Sequence, residues 1–541
     1  MTHDVVVIGA GITGLATAAL LAKDGHRVTV LERGSRTGGR VGRYERDGFV
    51  FDTGPSWYLM PEVFEHFFRL LGTSAERELQ LERLDPAYRV FGENYAEPLD
   101  LRSDLDDTAR VFESQETGAG QRIREYVASA DLTYRLAVQH FLYTSFHSPV
   151  SFARLVKPEV VRHLPRLGRH LLGSLHGFTH RHFTDTRLRQ VLGYPAVFLA
   201  SRPRDTPSMY HLMSRMDLAD SVQYPGGGVF TIIQAVERLA RQHGVRVELN
   251  AEVEQVLTTP AAANARFPRR RRPRVDGVQW RDVQGETHVL KADRVVSSGD
   301  LHHLETRMVQ PELQTYPASR WEKQQTGPGA VLVLLGVRGT LPQLTHHNLL
   351  FTEDWDANFS AIFDHPTRIP DPASIYVCKP SETDPTVAPP GDENLFVLVP
   401  VPAEVSIGSG GDDRSGSKQV EAVADRVIEQ IAQWAGVPDL AERIVVRKTI
   451  GPADFARDYH AWRGNVLGPA HTLRQSAFLR GRMRSRKIAG LHYCGSTTIP
   501  GIGLPMCLIS AENVLKDFRG DTSVGPLPET NDHTRFGGGS S

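Results

Sequence analysis

Short, continuous apolar runs open the chain, and each leads into a turn or a helical pattern. Asp4–Ile8 is rich in β-branched residues, which is typical of a strand buried on both faces. The next segment, LATAALLAKDG, has helical spacing, places alanine at close-packing positions and ends on Gly25. A second apolar run, RVTVLE, ends on Glu32. The pattern predicts a strand, a helix and a second strand at the N-terminus.

Three glycines join the first predicted strand to the helix in the spacing G-x-G-x-x-G. Gly9 suits a tight turn, Gly11 lets a pyrophosphate approach the backbone, and Gly14 lets the helix pack on the strand. Glu32 ends the second strand, where its carboxylate can accept hydrogen bonds from a ribose diol. The glycines alone are weak evidence, but strand, turn, helix, strand and acid in this order predict a dinucleotide site.

The residues after Glu32 distinguish between dinucleotides. RGSRTGGRVG places a second glycine pair, Gly38 and Gly39, past the second strand and follows it with Arg40. This resembles the second motif of FAD enzymes built like glutathione reductase and the amine oxidases, where the glycines and the arginine surround the flavin's phosphates and ribityl chain. An ordinary turn is the alternative interpretation. Arg33 would suit a 2′-phosphate, but the carboxylate of Glu32 would repel it.

Further along, the pattern alternates between strands and amphipathic helices. Asp47 and Gly48 predict a hairpin turn before the strand FVFD, and TGPSW predicts a tight turn after it. PEVFEHFFRLLG has one apolar face and predicts a helix. Residues 224–257 predict a glycine turn, a helix and a strand centred on 247–253, while 330–337 is a buried strand by length.

Three stretches together resemble the bacterial phytoene desaturase family: GAGITGLATAALLA, GGRVGRYERDGFVFDTGPSWYLMPEVFEHFF and GSTTIPGIGLPM. Members of that family are FAD-dependent carotenoid desaturases within the amine-oxidase-like flavoproteins. The resemblance is densest over about 1–75, 220–300 and 485–520. The N-terminal glycines mark only the superfamily, whereas FDTGPSWYLMP and the C-terminal turn indicate the family.

The resemblance also implies which residues bind FAD. In the family, the strand after the middle helix lies beside the adenine end, and the C-terminal turn brings the last helix towards the flavin ring. No second strand and acid follow that turn, so it completes the first site. Ile499–Pro500 stands where relatives often carry histidine–proline, which argues against a polar catalyst there. The implied cofactor-binding residues are Gly9, Ala10, Gly11, Thr13, Gly14, Glu32, Arg33, Gly38, Gly39, Arg40, Gly54, Pro55, Ser56, Val253, Gly495, Gly503, Leu504 and Pro505.

The predicted fold class is α/β. A Rossmann-like FAD-binding domain is assembled from discontinuous segments, with an inserted α+β substrate domain and a helical cap. The predicted segments are 1–75, 221–300 and 481–520 for the FAD-binding domain, 76–220 for a substrate-binding, helical and membrane-facing region, 301–480 for the substrate domain and 521–541 for a disordered tail.

Composition limits the partners and the compartment. A net charge of -1 over 541 residues argues against a nucleic-acid partner held by overall charge. The three cysteines form no CxxC pair, which fits a reducing, cytoplasmic compartment. The N-terminus has no signal-peptide pattern, and no apolar run is long enough to span a bilayer. The histidines show no metal-ligand spacing, so no metal is assigned.

A basic stretch from Ser151 to Gln190 suggests a membrane surface. It carries eight Lys or Arg against two acids, together with five histidines, and its apolar groups have helical spacing. We expect a helix in the plane of the membrane, with a solvated cap helix as the alternative. FPRRRRPRVDG (267–277) predicts a solvated hairpin loop, with attraction to anionic lipid as the second interpretation. A hydrocarbon substrate also favours peripheral membrane association.

The resemblance implies an FAD-dependent phytoene desaturase that removes a hydride and a proton stepwise from a C40 polyene, through to lycopene. No Ser/His/Asp or paired-carboxylate constellation stands out, so no catalytic residue is assigned, and the sequence does not indicate an oligomeric state. Two alternatives stay open. One is an oxidase of the same superfamily acting on amines or porphyrinogens, and the other is a non-catalytic isoprenoid-binding protein like the prenyl-protein escort factors. FDTGPSWYLMP weighs against the first, and the intact glycine motifs disfavour the second.

Overall fold

A five-stranded parallel sheet collects strands from the two ends and the middle of the chain. The computed structural model describes residues 2–146, 154–155, 157–220, 222–261, 272–365 and 368–529. The strands of this sheet are β1 (Asp4–Ile8), β2 (Arg27–Leu31), β9 (Arg246–Glu248), β13 (Arg294–Ser297) and β19 (Leu491–Tyr493). They lie in the order β19-β13-β1-β2-β9, with every neighbouring pair parallel. The predicted α/β class with a discontinuous Rossmann-like domain is confirmed.

Twelve helices of eight or more residues occur in the described part of the chain. They are α1 (Ile12–Lys23), α2 (Pro61–Leu70), α3 (Leu105–Gln115), α4 (Ala119–Leu136), α5 (Pro158–Leu172), α6 (Leu175–His182), α7 (Thr186–Gly193), α8 (Phe230–Gln242), α9 (Trp355–Phe363), α10 (Lys418–Trp434), α11 (Pro452–Tyr459) and α12 (Leu504–Arg519). Helix α1 is buried along almost its whole length because it packs against both α8 and α12. Its alanines allow that close approach.

A seven-stranded sheet forms the second layer. Its strands are β6 (Tyr88–Gly92), β7 (Leu99–Leu101), β14 (Gly329–Val337), β15 (His347–Phe351), β16 (Ile375–Cys378), β17 (Glu393–Val401) and β18 (Ile444–Ile450). The order is β18-β14-β17-β16-β15-β6-β7, and only β15 and β6 run parallel. Strand β14 is buried at every residue, as its apolar sequence predicts. Helix α10 covers one face of this sheet.

Smaller sheets connect these layers. Their strands are β3 (Arg43–Arg46) with β4 (Phe49–Asp52), β5 (Leu81–Arg83) with β8 (Gln223–Pro225), and β10 (Glu252–Thr259) with β11 (Arg274–Arg281) and β12 (Thr287–Lys291). Asp47 and Gly48 both have positive φ in the β3–β4 hairpin, as the predicted turn requires. Helix α2 packs against α12 and shares its core. Helices α3 to α7 lie in the segment predicted as a helical region, together with the shorter helical segments Ala137–Leu142, Pro195–Phe198, Ser208–Leu212 and Met213–Leu218.

The predicted strand over 247–253 is wrong in one respect, because two strands occupy this region. Asn250 adopts φ 55° between β9 and β10, and its amide donates to the carbonyl of Gly34. The amide of Ala251 then donates to the carbonyl of Glu32. This break turns the chain from the parallel sheet into the three-stranded sheet.

Three predicted segments fall partly outside the described residues. The basic stretch from Ser151 to Gln190 is described except for residues 151–153 and 156. The basic loop is described only from Arg272 onward, although β10 and β11 pair as an antiparallel hairpin around it. The tail is described only to Glu529. Within the described residues, no helix has both the length and the apolar character needed to cross a bilayer. The domain boundaries stay predictions.

Candidate functional site

The first glycine turn links β1 to α1 in a close-packed arrangement. Gly9 has φ 95°, a conformation that favours glycine, and its amide donates to the carbonyl of Leu31 at 2.8 Å. A Cβ on Gly14 would lie 2.0 Å from the carbonyl oxygen of Gly9. The turn therefore requires glycine, which has no side chain, where the helix packs against the end of the strand.

Glu32 fastens this turn through its carboxylate. One oxygen accepts a hydrogen bond from the amide of Ala10 at 2.7 Å, and the other accepts from the amide of Gly34 at 2.7 Å. Because Glu32 also lines the large cavity described below, the carboxylate lies where the predicted ribose would be. Glu32 thus joins two loops whose backbones both face the cavity.

The second glycine pair lies directly against the first turn. The amide of Gly38 donates to the carbonyl of Ala10 at 2.9 Å, and Gly38 forms a bridge with Gly11. Arg40 follows and lines the cavity. Its buried Nε has no hydrogen-bond partner among the described residues. An arginine with an unpartnered Nε beside two glycine turns fits an anionic ligand such as a pyrophosphate.

The C-terminal turn closes the same region from the opposite end of the chain. The amide of Gly495 donates to Ser510 Oγ at 3.0 Å, and Gly503 immediately precedes α12. Gly503, Leu504 and Pro505 line the cavity, so the N-terminus of α12 faces it. The partial positive charge of a helix N-terminus stabilises nearby negative charge.

Arg480 holds this turn, and the sequence gives no pattern that identifies it. Its side chain is buried, and it donates hydrogen bonds to the backbone carbonyls of Pro469, Gln475 and Ser496. Burial lowers the pKa of the guanidinium to about 10, which leaves it protonated at neutral pH. Arg480 therefore connects the loop before β19 to the turn after it.

One cavity of about 890 Å³ brings the predicted cofactor residues together. Every one of them lines it except Ala10 and Gly14. Ala10 contributes its amide to Glu32 instead, and Gly14 packs on Gly9. Val253 reaches the cavity just after the break between β9 and β10. The contacts of these residues with FAD stay predictions.

The cavity continues from the glycine turns to the inner face of the seven-stranded sheet. This part is mainly apolar, which suits a hydrocarbon and excludes water. Its walls include Val197, Phe198, Leu199, Leu212, Met213, Met216, Leu332, Leu349, Phe351, Phe359, Ile362, Phe396 and Leu398. The predicted dinucleotide site and an apolar compartment therefore form one continuous cavity. The apolar walls come from segments in which the resemblance to the family is weak.

A buried carboxyl supports one wall of this compartment. Asp217 Oδ2 accepts hydrogen bonds from Tyr194, at 2.9 Å, and from Tyr88, at 3.1 Å. Tyr194 lines the cavity. Burial raises the pKa of Asp217 to about 7, against the opposing effect of the two hydroxyls.

We expect Asp217→Asn to remove a pH-dependent part of the folding stability. The carboxyl titrates near 3.8 when unfolded and near 7 when folded, so its protonated form stabilises the fold. This contribution to the free energy of unfolding is on the order of 4 kcal/mol. It is present below pH 4 and is lost as the pH rises to about 7. Thermal midpoints at pH 5 and pH 7.5 test this, and an unchanged difference between the two pH values in the variant would contradict it.

Comparisons with known proteins agree with this architecture. The model of the family described as "Flavin containing amine oxidoreductase" matches residues 12–514. An oxidoreductase from Methanosarcina mazei has a similar fold, with a TM-score of 0.58 and 16% identity over 95% of this chain and 100% of its own. Putrescine oxidase bound to putrescine gives a TM-score of 0.57 and 16% identity over 96% of this chain and 99% of its own.

Similar sequences include three carotenoid enzymes. A carotenoid 3,4-desaturase of Haloarcula japonica is 39% identical over 94% of this chain and 97% of the relative. A zeta-carotene-forming phytoene desaturase of Myxococcus xanthus is 33% identical over 94% and 92%. A 4,4'-diapophytoene desaturase of Staphylococcus aureus is 28% identical over 96% and 99%. The chain therefore belongs to the flavin-containing amine oxidoreductases, as an FAD-dependent oxidoreductase of the carotenoid desaturase group.

Proposed function

We propose that this protein desaturates a C40 carotenoid chain at the 3,4 bond. The observation that carries the proposal is the apolar compartment continuous with the predicted dinucleotide site, because a hydrocarbon bound there would lie beside the flavin. The 39% identity to a carotenoid 3,4-desaturase supports the position of the bond. Stepwise conversion of phytoene to lycopene, the function predicted from sequence, is the second candidate, and the 33% identity to a phytoene desaturase supports it.

The protein's part in this reaction is to position and shield the reacting bond. FAD, when bound, supplies the hydride acceptor. The glycine turns and Arg40 would hold its phosphates, and Glu32 would approach its ribose. The apolar walls would hold the polyene and keep water from the two reacting carbons, where loss of a hydride from one carbon and of a proton from its neighbour forms the new double bond.

Two substrates separate the candidates. FAD-loaded protein is incubated with liposomes that contain either phytoene or lycopene, and the pigments are resolved by chromatography. A 3,4-desaturase converts lycopene to a red-shifted product and leaves phytoene unchanged. Conversion of phytoene with no change in lycopene would favour the second candidate. If neither pigment changes, both are contradicted, and release of hydrogen peroxide with amines would support an amine oxidase instead.

Helix α5 is the part of the surface that we propose to meet the membrane. Val161, Leu164 and Leu172 are 49%, 59% and 78% exposed, and their spacing places them along one side of the helix. The helix also presents arginines to solvent. It packs beside the segment Ser208–Leu212, from which Tyr210 and Leu212 line the cavity. A polyene could therefore pass from a bilayer into the compartment near α5, at the cytoplasmic surface of a membrane.

Replacing Val161, Leu164 and Leu172 together with serine is expected to release the protein from vesicles. The change removes apolar area that would be buried in the interface and leaves the basic residues in place. Flotation with vesicles containing anionic lipid measures the bound fraction. Val283 and Val289, which are 68% and 56% exposed on another surface, provide the matched control when replaced with serine. Equal binding by both variants would contradict this orientation.

A further inference from the structure

Two histidines and a cysteine meet inside the seven-stranded sheet. His347, the first residue of β15, pairs directly with Cys378, the last residue of β16, and His346 precedes it. One ligand atom of each of the three lies within 4.8 Å of the other two. All three side chains are almost completely buried, at 2%, 0% and 2% exposure for His346, His347 and Cys378.

Among the described residues, each imidazole has one hydrogen-bonded ring nitrogen and one unpartnered ring nitrogen. Nδ1 of His346 lies 2.8 Å from the hydroxyl of Thr383, and Nδ1 of His347 lies 2.8 Å from the hydroxyl of Tyr376. Both Nε2 atoms are buried and have no hydrogen-bond partner among the described residues. A ligating histidine commonly uses its other ring nitrogen in a hydrogen bond that fixes the ring. Leaving two buried polar atoms unpartnered costs about 1–3 kcal/mol for each.

The ligand set and the charge of the surroundings favour a soft, monovalent ion. A thiolate with two neutral imidazoles carries one negative charge, which a monovalent cation neutralises. A divalent ion would leave a net positive charge in a dry interior, where it is costly. The neighbouring buried charges cancel, because Lys379 pairs with Glu393, whose side chain is 12% exposed. Its second partner, Glu382, is 46% exposed and therefore screened by solvent. Structural zinc sites also require a fourth ligand.

We propose that His346, His347 and Cys378 form a three-coordinate site for Cu(I). Thiolate ligands select this ion, and imidazole also suits copper. On binding, the S–H bond of Cys378 breaks, a sulfur–copper bond forms and the proton leaves to solvent, so the charge of the site is unchanged. The ion would join β15 to β16 behind Tyr376, which lines the cavity, and Trp57, whose ring stacks on His347 at 4.3 Å. The site is independent of the carotenoid reaction.

Competition for Cu(I) tests the site directly. FAD-loaded protein is titrated anaerobically with the Cu(I)–bicinchoninate complex, and the loss of its colour reports transfer of copper to the protein. We expect one equivalent for each wild-type chain and none for Cys378→Ser. Cys494→Ser is the matched control, because Cys494 is another buried, free cysteine, and it should bind like wild type. No transfer to wild type, or equal transfer to Cys378→Ser, would overturn the proposal.

A second variant separates metal binding from misfolding. Thr383→Val removes the hydroxyl beside His346 Nδ1 but keeps all three ligands, so Cu(I) affinity should fall about 10–100-fold. X-ray absorption on the copper-loaded wild type should show one sulfur and two nitrogens around the ion. Unchanged Cu(I) affinity in Thr383→Val would overturn the assignment. A copper coordination shell without sulfur, or retention of zinc in place of copper, would also overturn it.

Discussion

Gly14→Ala is expected to prevent the protein from folding into a flavin-binding form. The new Cβ would lie 2.0 Å from the carbonyl oxygen of Gly9 and 2.6 Å from Ser298 Oγ. Neither the strand end nor the turn can move without breaking the contacts of α1 with α8 and α12. We therefore expect the free energy of unfolding to fall by more than about 4 kcal/mol. Soluble yield and the thermal midpoint measure this effect. A well-folded yellow variant would contradict it.

Gly11→Ala is expected to give a different result, although it lies in the same turn. Its φ is -70°, and a Cβ there would have no described neighbour closer than 3.9 Å, the carbonyl oxygen of Gly38. The polypeptide should therefore fold. Because Gly11 lines the cavity, the added methyl group would occupy space that a pyrophosphate needs. We expect folded, colourless protein that does not take up added FAD.

Gly168→Ala is the control for both glycine variants. It lies in α5, and an added Cβ would have no described atom within 4 Å. This variant should purify with the flavin content and the thermal midpoint of wild type. If Gly11→Ala also retained flavin, the pyrophosphate would have to bind elsewhere.

Arg480→Met is expected to cause the second large loss of stability and to weaken FAD binding. The substitution keeps a long apolar stem but leaves the carbonyls of Pro469, Gln475 and Ser496 without their charged donor. Losing these buried bonds should lower the free energy of unfolding by about 3–5 kcal/mol and weaken FAD binding through the loosened turn. Denaturant unfolding and flavin titration measure the two effects.

Arg474→Met provides the comparison for this variant. Arg474 is exposed in the same loop, so its loss should change stability by less than about 0.5 kcal/mol. Similar values for the two variants would show that Arg480 does not hold the turn.

The dinucleotide part of the fold could be predicted because its chemistry is local. Buried parallel strands produce continuous apolar runs, and the glycines stand where backbone must approach backbone or phosphate. Gly9 and Glu32 illustrate this, since each was identified from its spacing and each lines the cavity. Gly38 also lines the cavity, but its role was predicted through a resemblance. The C-terminal turn was placed at the same site through a resemblance rather than through a pattern in its own residues.

The remaining parts depend on contacts between distant segments. Strand β6 pairs with β15 across more than 250 residues, and no periodicity specifies that partner. Among the described residues, the hydrogen bonds of Arg480 go to backbone carbonyls, and a carbonyl acceptor cannot be identified from the sequence of side chains. Asn250 breaks a run that looks like one strand, because its own amide and that of Ala251 donate to carbonyls just after β2. His347 and Cys378 come together only through strand register.

The central claim is that the polyene lies in the apolar compartment and gives its hydride to the flavin site. The most direct measurement is an anaerobic single turnover, in which FAD-loaded protein is mixed with lycopene in liposomes and followed at the oxidised-flavin band. We predict loss of that band together with one equivalent of a product that has two hydrogens fewer. With Gly11→Ala, neither change should occur. An unchanged flavin band in wild type alongside bound lycopene would contradict the account.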